Sequence, residues 1–106
     1  MNKKIVVPLA LCATMLAGPG QHALASEALA QKYACIGCHQ ADKRLVGPSW
    51  KEIAARYKDG SKNAQQLAAS IKAGGSGKWG AVPMPPQTQV PDADLAALAG
   101  WILSQK

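Results

Sequence analysis

The sequence contains no phenylalanine, and aromatic residues make up only 5% of its 106 positions. A core built of protein alone would therefore rely on alanine, leucine, isoleucine and three tryptophans. Three cysteines are too few for a disulfide-rich small domain, and the glycines and prolines follow no collagen-like period. The length excludes a multidomain enzyme, since one domain commonly takes about 100–200 residues. One globular domain is expected, with 48% apolar residues and a formal net charge of +6.

The first part of the chain, residues 1–25, has the layout of a secretory signal peptide. Two lysines precede an uncharged and mostly apolar run at 5–17, and Ala-Leu-Ala at 23–25 supplies the small residues that signal peptidase recognises. The run is shorter than the roughly 20 residues that a membrane-spanning helix requires, so a membrane anchor is the weaker alternative. We predict cleavage after Ala25, export to the periplasm, and a functional domain at 26–106 that is not anchored in the membrane.

Helix signals account for most of the predicted domain, which has no alternating strand pattern. Ser49 with Glu52, and Asn63 with Gln66, have the spacing of capping boxes, in which the cap and the third helical residue each bond the other's backbone N–H. Apolar residues at helical spacing follow both caps. The predicted helices follow Ser26, Ser49, Asn63 and Pro91 or Asp92, and the first three end near Ala34, Asp59 and Gly74. The sequence therefore predicts an all-α fold.

Residues 35–39 read Cys-Ile-Gly-Cys-His, the pattern through which c-type haem is attached. Two thiols at this spacing can bond the two vinyl groups on one edge of the porphyrin, and His39 then lies under the iron as its proximal ligand. A redox-active dithiol and a structural zinc site are the alternatives. The first is expected in a βαβ setting, and the second needs four ligands where Cys35, Cys38 and His39 supply three. One covalent heme c is the preferred interpretation, and it would also supply the apolar bulk that the core lacks.

A long segment without periodicity, residues 74–91, contains the only methionine after the signal, Met84. Loops of this length in small domains are normally functional or disordered, and the neighbouring Pro83, Pro85 and Pro86 favour a rigid path. A thioether is a soft iron ligand that raises the reduction potential, so Met84 is a candidate sixth ligand. A core-filling methionine, a lysine ligand and an open sixth position are the alternatives.

With these motifs the sequence resembles the small bacterial class I cytochromes c of the c-551/c-552 type, also called cytochromes c8. The resemblance covers essentially all of 26–106. It rests on CIGCH at 35–39, LVGPSWKEIAARY at 45–57, IKAGGSGKWGAVPMPP at 71–86 and LAGWILSQK at 98–106. It implies a compact all-α domain of four to five short helices around one covalently bound haem. It also implies a soluble, monomeric electron carrier of the periplasm that is not an enzyme.

The resemblance assigns roles to individual residues. His39 corresponds to the proximal ligand, Met84 to the distal ligand, and Pro48 to a proline whose carbonyl accepts the N–H of the proximal histidine. Trp79 corresponds to a tryptophan whose indole N–H reaches a haem propionate, with plain wall packing as the alternative. The candidate cofactor-binding residues are thus Cys35, Cys38, His39, Pro48, Trp79 and Met84, with His39 and Met84 as metal ligands and no catalytic residue.

Several positions depart from the family pattern. Ser70 stands where several relatives carry arginine or lysine near a propionate, so the corresponding ion pair is in question. Gln87 stands where many relatives have an asparagine that hydrogen-bonds the methionine sulfur, and its longer side chain could do the same from another angle. Pro91 occupies a usual Ser/Thr cap position. Trp101, by contrast, keeps the family pattern. It resembles an aromatic residue of the C-terminal helix that packs against the N-terminal helix.

Two classes of function remain. The first is a one-electron shuttle in a respiratory chain with both axial positions filled. Its partners would be redox proteins: an upstream cytochrome donor, and a downstream terminal oxidase, nitrite reductase or peroxidase. The second is a haem peroxidase or gas sensor with a labile sixth ligand. Met84 in its proline-rich loop favours the shuttle.

The basic residues are interpreted first as a solvated surface, and they lack the interleaved aromatics that indicate nucleic-acid binding. Redox partners are expected to dock where the haem edge beside the two cysteines lies near the surface. The predicted docking site has an apolar patch (Ile36, Leu45, Val46 and 83–86) and a basic rim (Lys32, Lys43, Arg44 and Lys78).

Overall fold

The computed structural model describes residues 20–106 together with Pro8 and Ala10, so most of the predicted signal peptide lies outside it. The elements are α1 (Gly20–Lys32), a 3-10 turn (Cys35–Gly37), α2 (Trp50–Arg56), α3 (Ala64–Ala73) and α4 (Asp92–Leu103). Extended pairing within this range is limited to two isolated bridges. The predicted all-α class is therefore confirmed. None of the described helices is long and apolar enough to cross a membrane.

Both predicted capping boxes are present. Glu52 N donates to Ser49 Oγ at 3.1 Å, and Ser49 N donates to Glu52 Oε2 at 2.7 Å. Asn63 and Gln66 make the same reciprocal pair, at 2.8 and 2.9 Å. Each box satisfies two N–H groups that a helix start otherwise leaves without a partner, and a cap typically stabilises by about 1 kcal/mol. The helix α3 ends at Gly74, as predicted.

Two helix boundaries differ from the prediction. The helix α2 ends at Arg56, before the predicted stop at 59–60, because Tyr57 leaves the helical conformation and packs edge-on against Trp79, with ring centroids 6.2 Å apart. The helix α1 begins at Gly20 and passes through the predicted cleavage point. The prediction that Ser26 caps this helix is wrong for the uncut chain, since Ser26 lies inside α1 and donates its buried hydroxyl to Ala97 O at 3.3 Å.

The C-terminal helix α4 connects the other helices. It packs against α1, α2 and α3, whereas no close approach joins those three to one another in the described residues. Its buried side chains are Leu95, Leu98, Ala99 and Ile102. Tyr33, just after α1, donates its hydroxyl to the Asp94 carboxylate, and Trp101 packs edge-on against Trp50 with centroids 5.4 Å apart. The other helices are thus held around a common axis, and space remains between them.

Ala34, directly before the 3-10 turn, is the one non-glycine residue with a positive φ in the described part of the chain. Its backbone is left-handed, with φ 58° and ψ 24°. This conformation costs a residue with a Cβ about 1–2 kcal/mol. The strained residue turns the chain from α1 into Cys35.

Replacing Ala34 with glycine should therefore stabilise the protein by about 0.5–1 kcal/mol. Glycine adopts this φ without a steric cost, although it loses more backbone entropy on folding. Urea denaturation of the two proteins measures the difference. The control is Ala55→Gly at an exposed position of α2, which should destabilise by about 0.5–1 kcal/mol. Destabilisation of both variants by the same amount would contradict the strain assigned to Ala34.

Candidate cofactor site

A cavity of about 450 Å³ opens between the 3-10 turn, the helices α2, α3 and α4, and two loops. Sites for small molecules and cofactors commonly measure about 300–1,000 Å³ and have mainly apolar walls. The apolar wall comes from three helices, through Ile53, Leu67, Ile71, Leu98 and Ile102. All the candidate site residues line the cavity: Cys35, Cys38, His39, Pro48, Trp79 and Met84.

The 3-10 turn and the two residues after it bring both thiols and the imidazole to this cavity. Cys38 N and His39 N both donate to Cys35 O, at 3.1 and 3.0 Å, which closes the motif into a tight turn. Cys35 and Cys38 are not joined to each other by a disulfide, and burial raises the pKa of the Cys35 thiol. Among the side chains that the structure describes, 26–106, no three His, Cys, Asp or Glu gather as a metal site, which argues against zinc. The all-α surroundings likewise lack the βαβ setting of a dithiol enzyme.

His39 is held on three sides. Its buried ring places Nδ1 2.7 Å from Pro48 O. A carbonyl oxygen can only accept, so Nδ1 carries the proton and the Nε2 lone pair is available to a metal. Trp50 stacks on the ring with centroids 4.7 Å apart, and Gly47 packs so closely that a Cβ there would lie 2.7 Å from His39 Cε1. The hydrogen bond that the resemblance implied for Pro48 is present.

The Met84 loop is tied to the C-terminal end of α3. Met84 N donates to Gly75 O at 2.8 Å, and Gly75 N donates to Met84 O at 3.0 Å. The preceding Gly74 has φ 65°, and a Cβ there would lie 2.5 Å from Met84 O. A further bond runs from Gln87 N to Lys72 O at 3.1 Å. Backbone contacts therefore set the position of Met84 at the cavity wall.

Comparison with known proteins identifies the family. Residues 23–106 match the family described as Cytochrome c. The chain is 50% identical over 97 residues to cytochrome c-552 of Nitrosomonas europaea, which covers 92% of this chain and 91% of that protein. It is 40% identical to cytochrome c-551 of Pseudomonas aeruginosa over 106 residues, 100% of both chains.

This chain belongs to the cytochrome c family. The crystal structure of wild-type Nitrosomonas europaea cytochrome c552 matches the fold with a TM-score of 0.73 and 52% identity, covering 76% of this chain and 99% of that one. The predicted class I cytochrome c fold is therefore confirmed. This cytochrome c is a small electron carrier with a c-type haem bound covalently through Cys35 and Cys38.

The donor set fits the haem. Two thiols at the two-residue spacing, an imidazole with a free Nε2 and a thioether all border one apolar cavity. His39 and Met84 are the residues that would hold the iron, and Cys35 and Cys38 those that bond the porphyrin edge. Bound there, the haem supplies a one-electron couple whose potential depends on its axial ligands and on burial.

Two arginines that were not among the predicted site residues contact Trp79 and its neighbour in the cavity wall. Arg44 Nη1 donates to Trp79 O at 2.7 Å, and the Arg56 guanidinium lies 4.2 Å from the centre of the Trp79 ring while donating to Lys78 O. Arg44 and Arg56 are 35 and 23 positions away from Trp79 in the chain, so no local pattern could indicate these contacts. Gly47 was also missed, and its only signal is its place directly before Pro48.

Gln87 stabilises the loop on the other side of the methionine. Its Nε2 donates to Pro85 O at 2.9 Å, and its Oε1 accepts from Gln89 Nε2 at 2.8 Å. The family pattern made a bond from this amide to the Met84 sulfur a candidate, whereas the bond found goes to the Pro85 carbonyl, between the two residues. Gln87 therefore ties together the backbone of the loop that follows Met84.

Proposed function

We propose that this cytochrome c is a one-electron shuttle whose haem iron is ligated by His39 and Met84. The observation that carries the proposal is that the one histidine and the one methionine of 26–106 line the same cavity, each next to a backbone anchor. Pro48 O bonds the His39 ring, and Gly75 bonds the Met84 backbone. Ligands held in this way keep their positions when the iron changes charge, which keeps the rearrangement at each electron transfer small. The Met84 thioether favours the reduced iron.

A haem peroxidase or gas sensor is the alternative. Such a protein needs a sixth position that opens readily and a distal pocket with suitable hydrogen-bond donors. Two backbone hydrogen bonds to Gly75, together with the close approach of Gly74, oppose the release of Met84. The mainly apolar wall supplies little that would activate peroxide. These features favour a carrier without enzymatic activity.

Carbon monoxide tests the choice between shuttle and sensor. Added to the reduced native protein, it should leave the visible spectrum unchanged, because Met84 fills the sixth position. The same protein unfolded in guanidinium, where Met84 is released, should bind the gas and serves as the positive control. Rapid binding by the native protein would overturn the shuttle in favour of the sensor or peroxidase.

We also infer that residues 1–25 are an export signal removed after Ala25 and that the carrier works in a periplasmic respiratory chain. The positive start, the apolar run and the small residues at 23–25 support this inference. Its partners would be an upstream cytochrome and a downstream terminal oxidase, nitrite reductase or peroxidase. N-terminal sequencing of the purified holoprotein should begin at Ser26, and a start at Met1 would contradict removal of the signal.

We place the docking site for these partners at the mouth of the cavity. Four large apolar side chains are at least half exposed: Ile36, Leu45, Val46 and Val82. The last three also line the cavity. Lys43, in the predicted rim, is exposed beside them in the chain. Arg44 belongs to the same predicted rim, but it bonds Trp79 O and faces Glu52 at 3.7 Å, so changing it would also disturb the cavity wall.

Reversing the charge at Lys43 should slow electron delivery to an acidic redox partner by about two- to tenfold at low ionic strength. Lys43→Glu removes a steering charge from the edge of the apolar patch without touching the haem ligands. The rates should converge at high salt, because exposed charges are screened over roughly 10 Å at 0.1 M. Lys58→Glu, at an exposed site after α2, is the control with the same change in net charge. Equal rates for the two variants at low salt would remove Lys43 from the docking site.

A further inference from the structure

The cavity has charges of one sign only. Arg44, Lys62 and Lys78 are the charged residues along its wall, and no aspartate or glutamate borders it in the described chain. Of these three, Arg44 faces Glu52 outside the cavity, and the other ion pairs of the described residues, Lys51 with Asp42 and Lys72 with Asp92, lie away from the wall. Lys62 and Lys78, at the Trp79 end of the cavity, therefore face an apolar space and have no acidic partner among the described residues.

Lys62 is fixed in place at this end of the cavity. Its Nζ donates to Ser70 Oγ at 2.8 Å, and Ser70 Oγ in turn donates to Gln66 O at 3.1 Å. The ammonium also lies 5.2 Å from the centre of the Tyr57 ring. Lys62 precedes α3 in the chain, and its side chain reaches along that helix so that the ammonium lies at Ser70. Lys62 thereby supplies a cation at a place where Ser70 itself has none.

The surroundings of this ammonium are electrostatically unfavourable in the protein alone. Burial lowers the pKa of Lys62, and the positive charges of Lys78 and Arg56 lower it further. Such a site is stabilised when an anion enters it, because the anion offsets both the desolvation and the repulsion between the cations. The residues that set the local charge are Arg56 from α2, Lys62 before α3 and Lys78 from the loop.

We propose that Lys62, positioned by Ser70, binds a propionate carboxylate of the haem at this end of the cavity. The inference rests on the proposed haem-binding role of the cavity and adds a residue of this chain to it. A flat apolar group with a carboxylate at its edge matches a wall that is apolar except for cations. The ammonium donates to the carboxylate oxygen, and it supports a negative charge next to the electron-carrying centre.

The test is the reduction potential of the holoprotein at low ionic strength. Lys62→Gln removes a positive charge near the haem, which favours the oxidised form. At a fixed ambient potential the oxidised-to-reduced ratio should rise by about 1.4- to 5-fold, the range expected for a partly exposed ion pair. Lys58→Gln, which makes the same change away from the cavity wall, should shift the ratio less. Lys62→Gln combined with Ser70→Lys returns an ammonium to the same place and should restore most of the potential.

A second readout separates binding from a structural role. Removing a cation beside a carboxylate raises its pKa, so the pH range in which the potential responds to propionate titration should move upward in Lys62→Gln. Equal shifts for Lys62→Gln and Lys58→Gln, with no rescue by Ser70→Lys, would overturn the proposal. Failure of the proposed function would look different, since the wild-type protein would then lack the spectrum of a haem with both axial positions filled.

Discussion

Replacing Met84 with leucine should lower the reduction potential, on the order of 0.1 V within the span of about 0.8 V that axial ligands cover. Leucine keeps the apolar bulk of the side chain but has no sulfur to stabilise the reduced iron. The weak far-red band of sulfur-to-iron charge transfer should disappear from the oxidised spectrum. The reduced variant should bind carbon monoxide rapidly, in contrast to the native protein. Spectroscopy and potentiometry of the purified holoprotein measure all three changes.

The leucine variant also separates ligation from packing. A methionine that only fills the core tolerates leucine, a swap of similar volume that usually costs less than about 1.5 kcal/mol. Met84→Ala should reproduce the spectral changes and destabilise the protein further. Val82→Ala removes another side chain from the same loop and wall, and it should keep the far-red band. A Met84→Leu protein with the native potential and band would show that Met84 is not the ligand.

Replacing Gly74 with alanine should destabilise the protein by at least about 2 kcal/mol and weaken the Met84–iron bond. The backbone at Gly74 has φ 65° and ψ −159°, a region that only glycine adopts easily. A Cβ there would lie 2.5 Å from Met84 O, 2.7 Å from Pro86 N and 2.8 Å from Pro85 C. These are backbone atoms, so no side-chain rotation relieves the contact, and the loop must move away from α3. Urea denaturation gives the loss of stability.

Gly60→Ala is the matched control for this prediction. Gly60 also has a positive φ, 80°, but a Cβ there meets nothing within 4 Å. The Gly60→Ala variant should therefore show the conformational cost alone. On heating, it should lose the far-red band together with its helical structure, as the wild-type protein does. The Gly74 variant should lose that band at a lower temperature than it loses its helical structure. An identical response of the two variants would show that Gly74 does not position the methionine.

Local signals in the sequence predicted the parts of the molecule that depend on neighbours in the chain. The capping pairs at Ser49 and Asn63 locate the starts of α2 and α3, because the bonds involved span only three residues. The motif at 35–39 and the proline-rich loop likewise indicated some of the residues that line the cavity, Cys35, Cys38, His39 and Met84. The family resemblance added the Pro48 contact to His39, which spacing alone did not indicate.

Contacts between distant segments were not predictable in this way. The end of α2 depends on Tyr57 packing against Trp79, and the cavity wall depends on Arg44 reaching the Trp79 carbonyl. Lys62, eight positions before Ser70, brings an ammonium to Ser70, and this contact likewise cannot be recognised without the folded structure. In each case the sequence contains the residue type but not the geometry that brings the two segments together.

The position of α4 as the connection between the other helices has a consequence for the time at which this protein can fold. A ribosome makes α1, α2 and α3 first, and these helices have no close contacts with one another through which to associate. Their common partner, Asp92–Leu103, follows all three in the chain. Native packing of α1, α2 and α3 therefore waits until α4 has been made, so the three helices reach their final positions together in one late step and not one after another.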